Sequence, residues 1–181
     1  VSLTQIRQFV QKVYLATEGV SPGDSLMDAE IRALALENCS NSSRAAFVDK
    51  LMYTAAAKSN YYNIRNEQLL DGASAEDINN VIEDLQFEIS DPANAVDVTR
   101  LRLELSRMEA LRDAKQQFID GTINLIEVEK RMTSSVLFSW ANGSGETWVE
   151  SVFGFFLLRM PLDEELDNVT SMMYGNPGVL F

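Results

Sequence analysis

The chain has 181 residues, 46% of them hydrophobic and 23% charged, which suits one domain or two small helical halves and is too apolar for wholesale disorder. Its 27 Asp and Glu against 15 Lys and Arg leave a net charge of -12, a field that repels nucleic-acid phosphates and anionic lipid headgroups. A lone Cys39 and the absence of histidine exclude an intramolecular disulfide, a multi-cysteine metal centre and a Cys–His nucleophile within the chain.

Leu3, Ile6, Val10, Val13 and Tyr14 recur at helical spacing behind Ser2, an N-cap residue, and the pattern stops at Gly19. Pro22 and Gly23 turn the chain, and Ser25 or Asp28 then starts a helix through Ile31, Leu34 and Leu36 that the polar run NCSNSS ends. Ser43 is the expected cap of a helix carrying Phe47, Val48, Leu51 and Met52, and Ser59 that of the next, which runs through Tyr62, Ile64 and Leu69 to Gly72. Cys39, set among polar residues, reads as a thiol on a helix end.

Ser74 with Asp77 three residues on opens a helix whose Ile78, Val81, Ile82, Leu85 and Ile89 form one stripe, closed by Asp91-Pro92. Leu101, Leu105, Met108, Leu111 and Phe118 mark the longest helix, over 96–119. Gly121 closes it, and Thr122 or Asn124 caps a further helix that runs through Val128 and Met132 to Trp140.

From Trp148 to Leu158 eight of eleven residues are apolar, the composition of a helix enclosed by other helices. Thr147 and Glu150 form a capping box at its start, Pro161 ends it, and Asp163 caps a last helix that stops near Gly175. The expected fold is therefore all-α: a single domain over 1–181, an irregular bundle of about seven to nine helices, with Leu3–Tyr14 and Trp148–Leu158 both in the interior. Setting Phe9 on Trp148 aligns Val10 with Val149, Val13 with Val152, Tyr14 with Phe153 and Pro22 with Pro161 without a gap. Residues 3–37 and 147–175 thus read as two pseudo-repeated helical hairpins.

Chemical motifs are sparse. Asp120–Glu127, DGTINLIE, imitates the second half of an EF-hand loop, with Asp120 and Glu127 as its strong ligands. Counting back places Gln116 and Phe118 where the other leading carboxylates belong, so a glycine stop followed by a capped helix describes the stretch better. Asp163 with Glu165, or Glu127 with Glu129, would serve a carboxylate-dependent hydrolase only if one of them were buried with a raised pKa. Asn38, Asn41, Asn142 and Asn168 begin Asn-x-Ser/Thr triplets, which would carry glycans in a secreted eukaryotic protein. No apolar run approaches the roughly 20 residues of a membrane-spanning helix. The opening at Val1, without methionine or a signal core, reads as a processed product or a fragment, and the closing GNPGVLF as a tail or a cut end.

The stretch Leu158-Arg159-Met160-Pro161-Leu162-Asp163-Glu164-Glu165-Leu166 resembles bacterial helical modules with a Leu-Gly-Arg-x-Pro-x-x-x-Glu turn, among them phycobilisome-linker domains and related secreted or envelope modules. The preceding DGTINLIEVEKRMTSSVLF is similar to their Gly-Thr/Ile-Ser-x-x-Glu helix, so the likeness covers roughly residues 120–175. Leu158 stands where these modules carry glycine. The resemblance implies a non-catalytic assembly module without catalytic residues or cofactor.

The expected function is a structural or interaction subunit of a bacterial cell-envelope or extracellular assembly, periplasmic or extracellular, engaging protein partners through Phe155, Phe156 and Leu158. A degenerate EF-hand-like calcium module and a carboxylate-dependent hydrolase stay open as alternatives.

Overall fold

The computed structural model describes residues 1–143 and 145–173, and it is all-helical: among the described residues there are ten α-helices and no strand. The chain divides into two compact units, Val1–Arg65 with Asp113–Val128, and Asn66–Arg112 with Glu129 onward. Ten exceeds the expected seven to nine because the helix anticipated from Asn124 to Trp140 is two, α7 (Leu125–Thr133) and α8 (Val136–Asn142). Ser135 causes the break. Its hydroxyl donates to the Met132 carbonyl at 2.7 Å and accepts the Phe138 amide at 3.3 Å, ending one helix and capping the next.

In the first unit α1 (Leu3–Thr17) turns its Ile6, Val10 and Tyr14 stripe onto Met27, Ile31 and Leu34 of α2 (Asp24–Leu36) and Phe47 and Leu51 of α3 (Asn41–Met52). The Phe47 ring lies 5.9 Å from Phe9 and 6.1 Å from Tyr14, both tilted. Each of these buried side chains contributes up to about 1.5–3 kcal/mol of transfer free energy. Ser2 and Gln5 form a reciprocal capping box at the start of α1. Leu3, expected inside, is 65% exposed, because it lies off that stripe.

Cys39 is also placed differently from its polar neighbourhood in sequence. Asn38 and Cys39 take positive φ, and the Cys39 amide bonds the Leu34 carbonyl at 2.7 Å. That wraps the thiol back into the core, where Sγ accepts from Arg44 Nε at 3.2 Å. Glu30 is nearly buried too and receives Lys50 Nζ at 2.8 Å. Burial, then the charges of Glu30 and Glu18, raise the Tyr14 phenol above its ordinary pKa.

The expected caps of two helices move by one turn. Ser40 rather than Ser43 caps α3, accepting the Ser43 amide at 3.2 Å, while Ser43 itself is buried. Helix α4 (Ala55–Leu70) begins before Ser59, since Thr54 accepts the Ala57 amide at 3.1 Å.

In the second unit the sequence pattern of α5 (Ala75–Ser90) is reproduced closely. Ser74 and Asp77 cap it reciprocally, Ile78, Val81 and Ile82 are buried, and the helix stops at Asp91-Pro92. The bonds from Ser74 hold the Asp77 carboxyl below its ordinary pKa. Helix α6 (Val98–Ile119) buries Leu101, Met108 and Leu111 within this unit. Two long-range bonds hold the ends of α7 and α8: Arg131 Nη1 to the Ala110 carbonyl at 2.9 Å, and Asn142 Nδ2 to that of Leu69 at 2.8 Å. Asn142 is therefore committed inside the fold, and its triplet partner Ser144 lies outside the described residues.

Candidate functional site

The last hairpin departs most from the sequence expectation. Gly143 and Gly145 turn the chain with φ of 72° and 62°, so α9 (Glu146–Val152) starts before Thr147 and its cap position falls on Gly145. The Thr147–Glu150 capping box does not form, since Thr147 already sits in the first turn. The helix then widens into one π turn, Phe153–Leu157, and ends with Leu158 in the left-handed conformation, φ 53° and ψ 34°. After Pro161, α10 (Asp163–Met173) packs back on α9.

Of the apolar run from Trp148 to Leu158, Val149 alone is fully buried among the described residues, and Trp148 is half-buried with its ring edge-on to Phe138 at 5.8 Å and 86°. Phe155 is half-buried. Phe156 is 40% exposed and Leu158 87%. The run is therefore not an enclosed core helix. It is a half-docked one, because the short α9 and the hairpin formed with α10 cover one side of it only. Leu157, Met160 and Leu162 are exposed beside the expected Phe156 and Leu158. Leu157 belongs to the same apolar run, but sequence reasoning missed Met160 and Leu162, although their position around a proline turn, where chain direction changes every few residues, was the available sign that one face could not enclose them all.

The turn is locked by a single arginine. Arg159 makes two bonds of 2.7 Å to the Glu165 carboxylate, lies 5.0 Å over the Phe153 ring, and leaves Glu165 free to accept the Leu162 amide at 2.9 Å. Glu165 thus does the capping expected of Asp163, reaching back from the first turn of α10. Bonding to Arg159, then to the Leu162 amide, lowers its pKa to about 2. This is the opposite of what a general acid requires, and it commits Glu165 to structure.

The backbone at Leu158 is in the region that glycine enters without steric cost. A leucine there costs roughly 1–2 kcal/mol. The strain is spent at an apolar side chain that water surrounds.

The DGTINLIE stretch is a five-residue loop, 120–124, followed by the first turn of α7. Gly121 takes φ 78° and Asn124 caps α7, its Oδ1 accepting the Glu127 amide at 3.0 Å. Gln116 and Phe118 belong to α6, Asp120 accepts from Gln116 Nε2 at 2.9 Å, and Glu127 lies in the first turn of α7. Among the described residues no group of three or more Cys, Asp and Glu is placed to hold a metal ion.

Residues 3–37 and the described part of 147–175 each form a helical hairpin with a proline between the helices; Gly175 lies outside the described residues. The first hairpin ends its leading helix in α geometry and buries three of its side chains, Ile6, Val10 and Tyr14; the second ends in the π turn.

Compared with known proteins, the chain matches no family model, no curated protein and no solved structure. The fold defines a class, an all-helical bundle, and no described helix is long and apolar enough to cross a membrane. Its last hairpin carries an exposed apolar turn.

Proposed function

We propose that the chain is a non-enzymatic structural or protein-interaction subunit of a bacterial cell-envelope or extracellular assembly, and that Phe155, Phe156 and Leu158, joined by Leu157, Met160 and Leu162, form its contact surface. The observation that carries the reading is Leu158: it is 87% exposed, apolar and held in a left-handed backbone. Neither solubility nor stability favours leucine at such a position, and strain of this kind concentrates at functional sites. Contiguous exposed apolar side chains rimmed by polar ones mark interaction surfaces. The resemblance of residues 120–175 to linker-type modules supports the assembly role and the extracytoplasmic setting. Partner chemistry follows from charge. Beyond Arg131 the sole basic residue is Arg159, which Glu165 occupies, while Asp163, Glu164 and Asp167 are exposed beside the turn. A basic protein surface with an apolar centre complements this face.

Leu158→Asn tests the reading, because asparagine tolerates the left-handed region and is polar. Sedimentation and capture from the native extract should show association of the wild-type chain and its loss in L158N, with a melting temperature equal to or above wild type. A wild-type chain that stays monomeric and captures nothing, or a variant that associates equally well, would refute the proposal.

A further inference from the structure

The first unit holds a groove of about 550 Å³ formed by the end of α1, by α3 and α4, and by the α6–α7 junction. Small-molecule pockets span roughly 300–1,000 Å³ and are mostly apolar with a few placed polar groups. Its walls include Met52, Tyr53, Ile64, Phe118 and Leu125. Met52, Tyr53 and Ile64 remain 59%, 73% and 45% exposed, so the groove is not closed by its own side chains.

Lys58 gives this groove a direction. It is a half-buried residue whose ammonium donates to the Ile119 carbonyl at 3.1 Å and lies 5.7 Å over the Phe118 ring. Both partners are neutral. In a chain with 27 carboxylate side chains, no carboxylate pairs with Lys58 among the described residues. An ammonium has three N–H donors, so two are left for an anion. Asn60 also lines the groove, and one of its amide N–H groups donates to the Thr17 carbonyl at 3.0 Å. The exposed Asp49 on the wall opposes a second negative charge in the ligand.

We propose that this groove binds a free single-chain amphiphile with one carboxylate head, the head on Lys58 and the chain along Phe118, Ile64, Tyr53 and Met52. Partial burial makes the head contact a charge-assisted bond formed against apolar walls, where it is stronger than in bulk water. The apolar tail replaces water over the exposed wall residues.

Dodecanoate, titrated below its micelle concentration into the full chain, should bind one to one by calorimetry and change tyrosine emission, since Tyr53 and Tyr61 line the groove. Lys58→Met keeps the stem and removes the charge, and should weaken binding roughly ten- to a hundredfold. Ala16→Trp, at an exposed wall position, should block the groove with the circular dichroism unchanged. Dodecyltrimethylammonium and anionic lipid vesicles should both fail to bind. No binding of dodecanoate, or equal affinity in A16W or K58M, or preference for the cationic probe or the vesicle, would overturn the proposal.

Discussion

Replacing Phe138 by alanine separates the real core of the second unit from the apolar turn that sequence alone mistakes for it. Phe138 is completely buried in α8 and meets Trp148 edge-to-face at 5.8 Å. Deleting the ring removes its transfer free energy, the aromatic contact and leaves a cavity, together about 3–5 kcal/mol. Phe156, already 40% exposed, has much less to lose, and Phe156→Ala should stay within about 0.5 kcal/mol of wild type. The two tryptophans, Trp140 and Trp148, both lie in the second unit, so their fluorescence through a urea titration follows that unit, with far-ultraviolet circular dichroism following the whole chain. With a denaturant slope of about 2–3 kcal/mol per molar, F138A should lower the midpoint by about 1–2 M urea. F156A should barely move it. Comparable losses for the two variants would mean that the turn is enclosed after all, and would remove the physical basis for a contact surface there.

Three further outcomes follow from named contacts. Glu165 should titrate near 2 and return toward 4.5 in Arg159→Met, as carboxyl-detected NMR would show; a wild-type value in the ordinary carboxylate range would refute the two-bond lock. Because the folded value is depressed, the stabilisation from this pair is complete above about 4.5 and is lost as pH falls from there to about 2. With side chains 45% and 34% exposed, it should also weaken with salt. Thr54→Val removes the hydroxyl that accepts the Ala57 amide at 3.1 Å and reaches Glu18 at 2.8 Å, and should destabilise the chain by about 1 kcal/mol in chemical denaturation; no change would mean that α4 needs no cap there. Millimolar calcium should leave the melting temperature unaltered, since a ligand that binds only the folded state must raise it; a rise abolished by Glu127→Gln would restore the calcium reading.

Sequence alone determined what depends on near neighbours. Helical periodicity gave the all-α class, and the α5 boundaries were legible because Ser74, Asp77 and Pro92 act within one turn of the backbone groups they satisfy or remove. The stripe of Ile6, Val10 and Tyr14 was legible for the same reason. Where several polar residues competed for a cap, the tertiary fold chose. Ser40 displaced Ser43, whose side chain burial claimed, and two positive-φ glycines moved the start of α9 ahead of Thr147. Tertiary structure also decided which apolar run is core. Apolar composition states what a segment would gain from burial, but whether the area is covered depends on helices distant in the chain. Val149 found such cover, and Leu158, turned outward by its left-handed backbone, did not. Lys58 shows the same limit: a lysine in an acidic chain predicts an ion pair, and only the folded arrangement set it between a carbonyl and a ring, facing an open groove.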